Sequence, residues 1–215
     1  VVRACRNIDY SIDGFGWTYN HAPMLAYWNH RFILEYLSNP VSEHVPPSQS
    51  FICTSIDGVN WSKPTTVFPS IEVPVSPYKG PKKELLTEDL VPCICHQRMG
   101  FYVTNSGKLL VLGFYGISPD HNIAPNNGYG VGRVVREVFD DFSMSDVYFV
   151  RYNEQGGYNQ KNVNAFSYYK DSKDTEFIEA CDELLNNRLI TQQWWEEERL
   201  DSDYFTRPDG KALSY

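Results

Sequence analysis

A heptapeptide at residues 55–61, of the form S-x-D-G-x-x-W, carries more information about the fold than any other part of the sequence. Asp57 and Gly58 suit a tight turn, because Gly reaches positive φ without steric cost and an Asp side chain can bond the backbone that follows it. Trp61 stands where its ring can pack on the strands that the turn connects. The heptapeptide therefore predicts the turn of an antiparallel hairpin.

The residues before this turn are typical of one small antiparallel sheet. Residues 22–28 and 31–38 are apolar and aromatic runs of strand length, and Asn29 with His30 between them suits a two-residue hairpin. A polar loop with three prolines follows, and residues 50–54 form a third run that leads into the heptapeptide. The whole stretch is predicted to contain three strands and the turn into a fourth.

The heptapeptide pattern also occurs at residues 11–17, so that Ser11 and Ser55 are separated by 44 residues. Repeats of roughly 40 to 50 residues, each about four strands, are typical of β-propellers, whose sheets stack around an axis because one sheet cannot bury both faces alone. The sequence therefore predicts an all-β fold, a β-propeller. A β-sandwich with two Asp-Gly hairpins is the alternative.

The middle of the chain supplies a second predicted blade. Residues 65–92 are rich in proline and show little periodicity, so they are predicted to form a long connection between blades. Residues 105–108, Asn-Ser-Gly-Lys, suit a hairpin turn. The strands predicted for this blade are residues 99–104, 109–116, 130–138 and 147–152.

The hydrophobic period changes from two to that of a helix in the last part of the chain. Apolar residues within 177–185 recur on one helical face, behind Ser172 or Asp174 as an N-cap. A helical insertion is therefore predicted at about residues 172–199, docking its Trp pair at 194–195 on the propeller, although that pair could also line a sugar site. Two blades, the insertion and two half blades account for the length, so the chain is predicted to be part of a single propeller domain, about its first half.

Composition restricts the function. Aromatic residues make up 15% of the 215 residues, and all-β proteins rich in rings often present them to sugars, although core packing also uses rings. The 19 basic and 27 acidic residues give a net charge of -8, which argues against nucleic acid or an anionic membrane as a partner. No apolar run is long enough to cross a membrane. Cys93, Cys95 and His96 lack the C-x-x-C spacing of a zinc site, so no metal site is predicted.

Five motifs carry a resemblance to a known family: Tyr19-Asn20-His21-Ala22-Pro23, Ala26-Tyr27-Trp28, Glu43-His44-Val45-Pro46-Pro47, the heptapeptide with Lys63-Pro64, and the eight residues 130–137. They resemble secreted bacterial sialidase-like propellers with Asp-box (BNR) turns. Within that family the sequence is most similar to the L-rhamnose-α-1,4-D-glucuronate lyases, first described as rhamnosidases, which remove rhamnose caps from arabinogalactan glycans. The resemblance covers residues 17–137, with weaker similarity around residues 192–197.

The resemblance implies a complete propeller of seven blades, with a site at one mouth of the central channel and a catalytic His near the start of the first full blade. His21 fits this role, since it stands just before Pro23, where the chain enters the innermost strand. Ala22 departs from the pattern, because relatives often carry a polar residue there. The arginines expected to act with His21 are Arg98 and Arg133, and the expected substrate-binding residues are Tyr19, Asn20, His44, Tyr115 and His121.

The chemistry of such a lyase explains these residue types. Eliminating the substituent on O4 of a uronate requires removal of the C5 proton, which becomes acidic enough when the adjacent carboxylate is neutralised. The planar guanidinium of Arg98 or Arg133 can hold a carboxylate bidentately, and His21 would be the base. Structural roles also remain open, since either arginine could form an ordinary salt bridge and His21 could bond a neighbouring loop.

Two other functions remain open. Glu35, Glu43, Asp120 and Glu137 could serve a glycoside hydrolase, and sialidases use a Tyr nucleophile. A non-catalytic propeller could bind glycans through Tyr and Trp side chains. In each case the expected partner is a polysaccharide or oligosaccharide, the expected location is secreted or periplasmic, and the rest of the propeller is needed to close the ring. No cofactor is expected to be required; the resemblance allows Ca²⁺ in the channel, but no acidic loop has Ca²⁺-ligand spacing.

Overall fold

The structure, a computed structural model, describes residues 19–40, 42–191 and 194, and for residues 96–99 it describes the backbone alone. Strands dominate this part of the chain, as the sequence predicted. The strands are β1 (Tyr19–Trp28), β2 (Arg31–Asn39), β3 (Gln49–Ser55), β4 (Thr65–Phe68), β5 (Glu72–Pro74), β6 (Leu90–Val103), β7 (Leu109–Ile117), β8 (Gly130–Val138), β9 (Tyr148–Tyr152) and β10 (Ser167–Tyr168). The helices are α1 (Thr175–Asn186), α2 (Arg188–Thr191) and two short 3-10 helices, Lys83–Leu85 and Tyr169–Asp171.

The first sheet has the order β1-β2-β3-β4, and all neighbouring strands are antiparallel. Asn29 and His30 join β1 to β2 with φ values of 44° and 58°, the left-handed conformation that a tight two-residue hairpin requires. The sequence prediction of three strands and a turn into a fourth is confirmed. This sheet has the four strands of one propeller blade.

The Asp57 carboxylate organises the turn between β3 and β4. Its oxygens accept hydrogen bonds from the backbone N–H groups of Val59 (2.9 Å) and Asn60 (2.7 Å), and from the Ser55 hydroxyl (3.0 Å). The Trp61 indole nitrogen closes the turn by donating to the carbonyl oxygen of Gly58. The residue types that defined the heptapeptide in the sequence are therefore the ones that stabilise the turn.

The other copy of the heptapeptide, at residues 11–17, lies outside the described residues, so the predicted equivalence of the two turns stays a prediction. The strands that follow the two copies are nevertheless described. β4 begins four residues after Trp61, whereas β1 begins two residues after Trp17. β1, the strand that follows the first copy, is thus the first strand of this blade. The interval between Trp17 and β1 is too short to contain another strand.

The second sheet has the order β10-β9-β8-β7-β6-β5, in which β6 to β9 are antiparallel neighbours and form the predicted second blade. One prediction about this region is wrong. Residues 65–92 contain β4, β5 and the start of β6 rather than a connection without strands. Pro74 is compatible with β5 because this short strand lies at the edge of the sheet and pairs only with β6.

Contacts at both ends align the two sheets. At one end, the Trp28 indole donates to the carbonyl oxygen of Gly107 at 3.0 Å. At the other, the Ser48 hydroxyl donates to the carbonyl oxygen of Cys95 at 3.1 Å. We call this second end, where β1 and β6 begin, the upper end; its loops are residues 40–48, 118–129 and 153–166.

The main hydrophobic core lies between the two sheets, and a smaller core lies on the outer face of the second sheet. Helix α1 covers that outer face with Phe177, Cys181 and Leu184. Asp174 is its N-cap and accepts a 3.0 Å hydrogen bond from the Phe177 backbone N–H, as predicted. Trp194 is also buried in this core, which confirms docking of that ring. In the described part of the chain, no helix has the length and apolar character needed to cross a membrane.

Candidate active site

The site is built on an irregularity at the upper end of β1. His21 lies opposite Leu37 and Met24 lies opposite Glu35, so β1 has one more residue than β2 over this interval. Ala22 lies within this bulge with φ of 51°. Because residues directly opposite each other share a face, the bulge keeps His21 and Met24 on the buried face to which Leu37 and Glu35 point. Without the bulge, His21 and Met24, which are three residues apart, would point to opposite faces of the sheet.

Three polar side chains meet on this face. The Tyr19 hydroxyl donates a 3.1 Å hydrogen bond to Glu43 Oε2, and Glu43 Oε1 lies 3.5 Å from His21 Nε2. The Tyr19 and His21 rings are 5.8 Å apart between centroids. The His21 side chain is 43% exposed and that of Glu43 is 27% exposed, so a ligand can reach both. We call Tyr19, His21 and Glu43 the upper cluster.

The loop that carries Glu43 is held by a buried amide. The Asn39 Nδ2 group donates to the carbonyl oxygens of Glu43 (3.2 Å) and Val45 (3.1 Å), on either side of His44. The Ser48 hydroxyl joins the other end of the loop to β6. The predicted residue His44 is therefore carried on the same anchored loop as Glu43, next to the upper cluster in the chain.

The environment of Tyr19 determines its protonation. Burial raises the pKa of the Tyr19 hydroxyl, and the charge and hydrogen bond of Glu43 raise it further. The phenol therefore stays protonated at neutral pH and donates to the carboxylate. If Tyr19 acts as a nucleophile, its proton passes to Glu43, the group that it already contacts.

Beneath the upper cluster lies a fully buried carboxyl group, Glu35 of β2. It accepts a 3.2 Å hydrogen bond from the Ser50 hydroxyl, while burial raises its pKa well above the ordinary value, against the lowering effects of Ser50 and the Gly100 backbone N–H. Gly100 ends a second bulge, in β6, which begins at His96. Arg98 lies within that bulge; its side chain is outside the described residues.

Two of the predicted residues do not belong to the upper cluster. Arg133 is buried on the outer face of the second sheet, where its Cζ atom lies 5.0 Å from the Phe114 ring centroid and 5.2 Å from that of Trp194. Tyr115 is buried in the core between the sheets, and its hydroxyl donates to the carbonyl oxygen of Pro69. Tyr115 is therefore a buried core residue, and the second sheet separates Arg133 from His21; the roles predicted for these two residues stay predictions.

The remaining predicted residues lie at the upper end. Asn20 pairs with Ser38, and its buried Oδ1 has no hydrogen-bond donor within the described part of the chain. His121 is exposed in the 118–129 loop, next to Asp120. The Asp120 carboxylate accepts hydrogen bonds from the backbone and side chain of Asn122, which are the main causes of its lowered pKa.

Metal-ligand groups do not converge in the described residues: no set of three or more His, Cys, Asp or Glu side chains there could hold a metal ion. Cys93, Cys95 and Cys181 are buried free thiols, and burial raises the pKa of each of them. These thiols are not reactive nucleophiles in this environment. The chemistry that the fold offers at the upper end is therefore that of a phenol, a carboxylate and an imidazole.

Sequence reasoning missed two features of the site. Glu43 was recognised only as an available acid, although its Glu-His-x-Pro-Pro motif was the signal that could have singled it out. A cleft of about 920 Å³ at the end of β9, lined by Arg151, Tyr152, Glu154 and Lys161 among others, gave no motif at all. Its lining residues come from two strands, a loop and a helix, so only the fold brings them together.

Two stacked antiparallel four-stranded blades, with an upper polar cluster on the first strand, define part of a sialidase-like β-propeller. The chain belongs to the family described as "Beta-prop_BT_1020:-like, N-terminal beta propeller", whose model matches residues 1–210. No protein of curated function matches the chain.

A solved structure supports this family. The chain is 48% identical to a protein named "Sialidase", with a TM-score of 0.77 over 86% of this chain and 17% of the other. The chain thus spans a small part of that protein. A xylan β-1,4-xylosidase from Bacillus halodurans C-125 is 12% identical, with a TM-score of 0.38 over 62% of this chain and 20% of the other, which is too distant to inform function. The resemblance to rhamnosyl-glucuronate lyases stays a prediction.

Proposed function

We propose that this chain contributes catalytic residues to an exo-acting glycoside hydrolase that removes terminal acidic sugars from glycans. The observation that carries the proposal is the hydrogen bond from the Tyr19 hydroxyl to Glu43, beside an exposed imidazole. Sialidases use a Tyr nucleophile instead of a carboxylate, and the 48% identical structure is named as a sialidase. Because polysaccharide substrates lie outside the cell, we expect a secreted or periplasmic enzyme.

Each member of the upper cluster has one role in this reaction. The Tyr19 oxygen attacks the anomeric carbon while Glu43 takes the phenolic proton, and protonated His21 gives its proton to the leaving glycosidic oxygen as the C–O bond breaks. Water then attacks the glycosyl-tyrosine bond; His21 takes a proton from that water, and Glu43 returns its proton to the Tyr19 oxygen. Neither step requires a cofactor.

A second candidate is β-elimination at a rhamnosyl-α-1,4-glucuronate cap, the reaction implied by the sequence resemblance. It is favoured by the 3.5 Å His21–Glu43 contact and by the position of Arg98 on the neighbouring bulge of β6. His21 would take the C5 proton, the electron pair would form a C4–C5 double bond as the C4–O bond breaks, and protonated His21 would return the proton to the departing rhamnose oxygen. Arg98 would neutralise the uronate carboxylate.

Single substitutions distinguish the two reactions in the complete protein. Tyr19→Phe removes the nucleophile, so hydrolysis should fall by about 10² or more, whereas elimination should continue at a rate close to that of the unaltered protein. His21→Ala should reduce either reaction by about 10² to 10⁴. Tyr27→Phe, at an exposed tyrosine of the same strand, is the matched control.

The assay follows free sugar together with near-ultraviolet absorbance, on sialosides and on rhamnosyl-glucuronate caps. Sugar release without absorbance identifies hydrolysis, and release with absorbance from an unsaturated uronate identifies elimination. Full activity of both Tyr19→Phe and His21→Ala would contradict the assignment of the upper cluster. Binding without any release would identify a glycan-binding propeller instead.

A further inference from the structure

Asn39, the last residue of β2, lies directly opposite Tyr19 of the upper cluster. Residues directly opposite each other point to the same face of a sheet, so Asn39 lies on the face that carries the cluster. Asn39 is fully buried. No substrate can touch this amide, and any effect of Asn39 on a reaction must act through the residues that it contacts.

The nitrogen of the Asn39 amide bonds the loop that carries Glu43. It donates to the carbonyl oxygen of Glu43 at 3.2 Å and to that of Val45 at 3.1 Å. The Tyr19 hydroxyl in turn donates to the Glu43 carboxylate at 3.1 Å. One buried side chain therefore lies opposite the donor of this contact and is bonded to the backbone of its acceptor.

The oxygen of the same amide joins this arrangement to the second sheet. Asn39 Oδ1 lies 3.4 Å from the Ser48 hydroxyl, which donates to the carbonyl oxygen of Cys95 at 3.1 Å. The Ser48 carbonyl oxygen also accepts a 2.9 Å hydrogen bond from the Ser70 hydroxyl. Asn39, Ser48 and Cys95 are fully buried, so these bonds form in a low dielectric, where they are stronger than in water. Fixed backbone therefore lies at both ends of the loop that carries Glu43.

We propose that Asn39 is a positioning residue that sets the contact between Tyr19 and Glu43. In the proposed hydrolysis the phenolic proton passes to Glu43, and a displacement of about 1 Å in a reacting group can lower a rate about 10²-fold. An amide that fixes the Glu43 backbone before substrate binds keeps the carboxylate beside the phenol. The inference rests on the proposed function for the chemical role of Glu43, whereas the effect of Asn39 on the position of Glu43 can be measured without any substrate.

Asn39→Leu in the complete protein tests this inference, because leucine is close to asparagine in size but forms none of these hydrogen bonds. The kcat for hydrolysis of a sialoside should fall about 10- to 100-fold, while KM should change by less than about threefold. Asn162→Leu is the matched control. The Asn162 side chain also bonds a loop backbone, donating to the Gly157 carbonyl oxygen and accepting from the Asn159 N–H, but it lies outside the upper cluster. This control should keep kcat within about twofold.

A double-mutant cycle separates positioning from a general loss of stability. If Asn39 acts through Glu43, adding Asn39→Leu to Glu43→Gln should lower kcat by no more than about a further twofold. Losses that multiply in the double variant would overturn the inference, as would equal losses of kcat in Asn39→Leu and Asn162→Leu. If Asn39→Leu does not fold, Ser48→Ala is the milder variant, and it should lower kcat about three- to tenfold with the same dependence on Glu43. Full activity of Ser48→Ala would then overturn the inference.

Crystal structures of the variants distinguish failure of this inference from failure of the proposed function. In Asn39→Leu the distance between the Tyr19 hydroxyl and Glu43 Oε2 should exceed about 3.6 Å, beyond hydrogen-bonding range. In Asn162→Leu it should stay near the 3.1 Å of the unaltered protein. An unchanged distance in Asn39→Leu would overturn the inference whatever the activity. Full hydrolysis by Tyr19→Phe would instead contradict the proposed function, while the distance in Asn39→Leu would still decide the role of Asn39.

Discussion

The indole nitrogen of Trp28 donates a 3.0 Å hydrogen bond to the carbonyl oxygen of Gly107, joining the last residue of β1 to the turn between β6 and β7. At the same end, the Asn29 side chain donates to the carbonyl oxygen of Asp140 at 3.1 Å. These contacts fix the two sheets relative to each other at the end opposite the upper cluster. The position of the first blade on the second therefore depends on Trp28 and Asn29 at this end and on Ser48 at the upper end.

Trp28→Phe should destabilise the chain by about 1 kcal/mol, because it removes one hydrogen bond between the sheets and reduces ring contact. The free energy of unfolding from urea titration measures this loss. Tyr27→Phe, at the exposed neighbouring position, should change the stability much less. Equal losses in the two variants would show that the indole nitrogen does not stabilise the contact between sheets.

Glu35→Gln should alter the dependence of stability on pH. The pKa of Glu35 is raised in the folded state, so its stabilising contribution is present at low pH and is lost as pH rises from its ordinary value through its folded value. A glutamine at this position stays neutral at every pH, so the variant should not lose this stability as pH rises. Urea unfolding at several pH values should show a flatter profile on the alkaline side than for the unaltered protein.

Glu88→Gln, at an exposed carboxylate, provides the control for that experiment. It should leave the shape of the pH profile unchanged. If Glu35→Gln gave the same profile as the unaltered protein, the buried carboxyl group would not be the source of the pH dependence.

Ala22→Val and Ala22→Gly should have different effects, since Ala22 has φ of 51°. Valine is strongly disfavoured in this conformation and should cost about 1 to 3 kcal/mol or shift the bulge. Glycine adopts it freely and should stay within about 1 kcal/mol of the unaltered protein. A shifted bulge should also turn His21 away from Glu43, which the His21 ring signals in NMR spectra would detect. Equal tolerance of the two residues would contradict a role for this backbone conformation.

Asp57→Ala should loosen the turn between β3 and β4. The carboxylate accepts hydrogen bonds from the backbone N–H groups of Asn60 and Val59, and these bonds lower its pKa. Its contribution is therefore present at neutral pH and is lost as pH falls from the ordinary pKa of Asp through the lowered one. Amide hydrogen exchange at Gly58, Val59 and Asn60 should be faster in the variant at neutral pH. Unchanged exchange there would mean that the backbone alone maintains the turn.

Local patterns in the sequence were sufficient for much of the fold. The Asn29-His30 hairpin and the strand from Gly130 to Val138 follow from turn chemistry and alternation, which act over a few residues. The short strand β5 was missed because such patterns are recognised only where they extend over several residues. A three-residue strand that pairs only with the start of β6 has too little periodicity to be recognised without its partner.

The candidate site was predicted less completely. His21 and Tyr19 were identified from their motif, and the structure adds Glu43 as the residue that contacts both. Arg133 was chosen because arginine suits a carboxylate, yet the alternation of β8 directs it to the outer face, between Phe114 and Trp194. A residue type specifies the chemistry that a side chain can perform, but the face of the sheet determines what that side chain can contact.

The sequence by itself determined the all-β blades, the Asp57 turn and the helix capped by Asp174, because each depends on interactions between residues close in the chain. The tertiary structure alone decided that one extra residue in β1 keeps His21 on the face of Leu37, and that Arg151 and Lys161 line one cleft with Leu185. These relationships depend on strand register and on packing between distant segments. A shift of one residue reverses the face of every side chain that follows, and no local pattern specifies it.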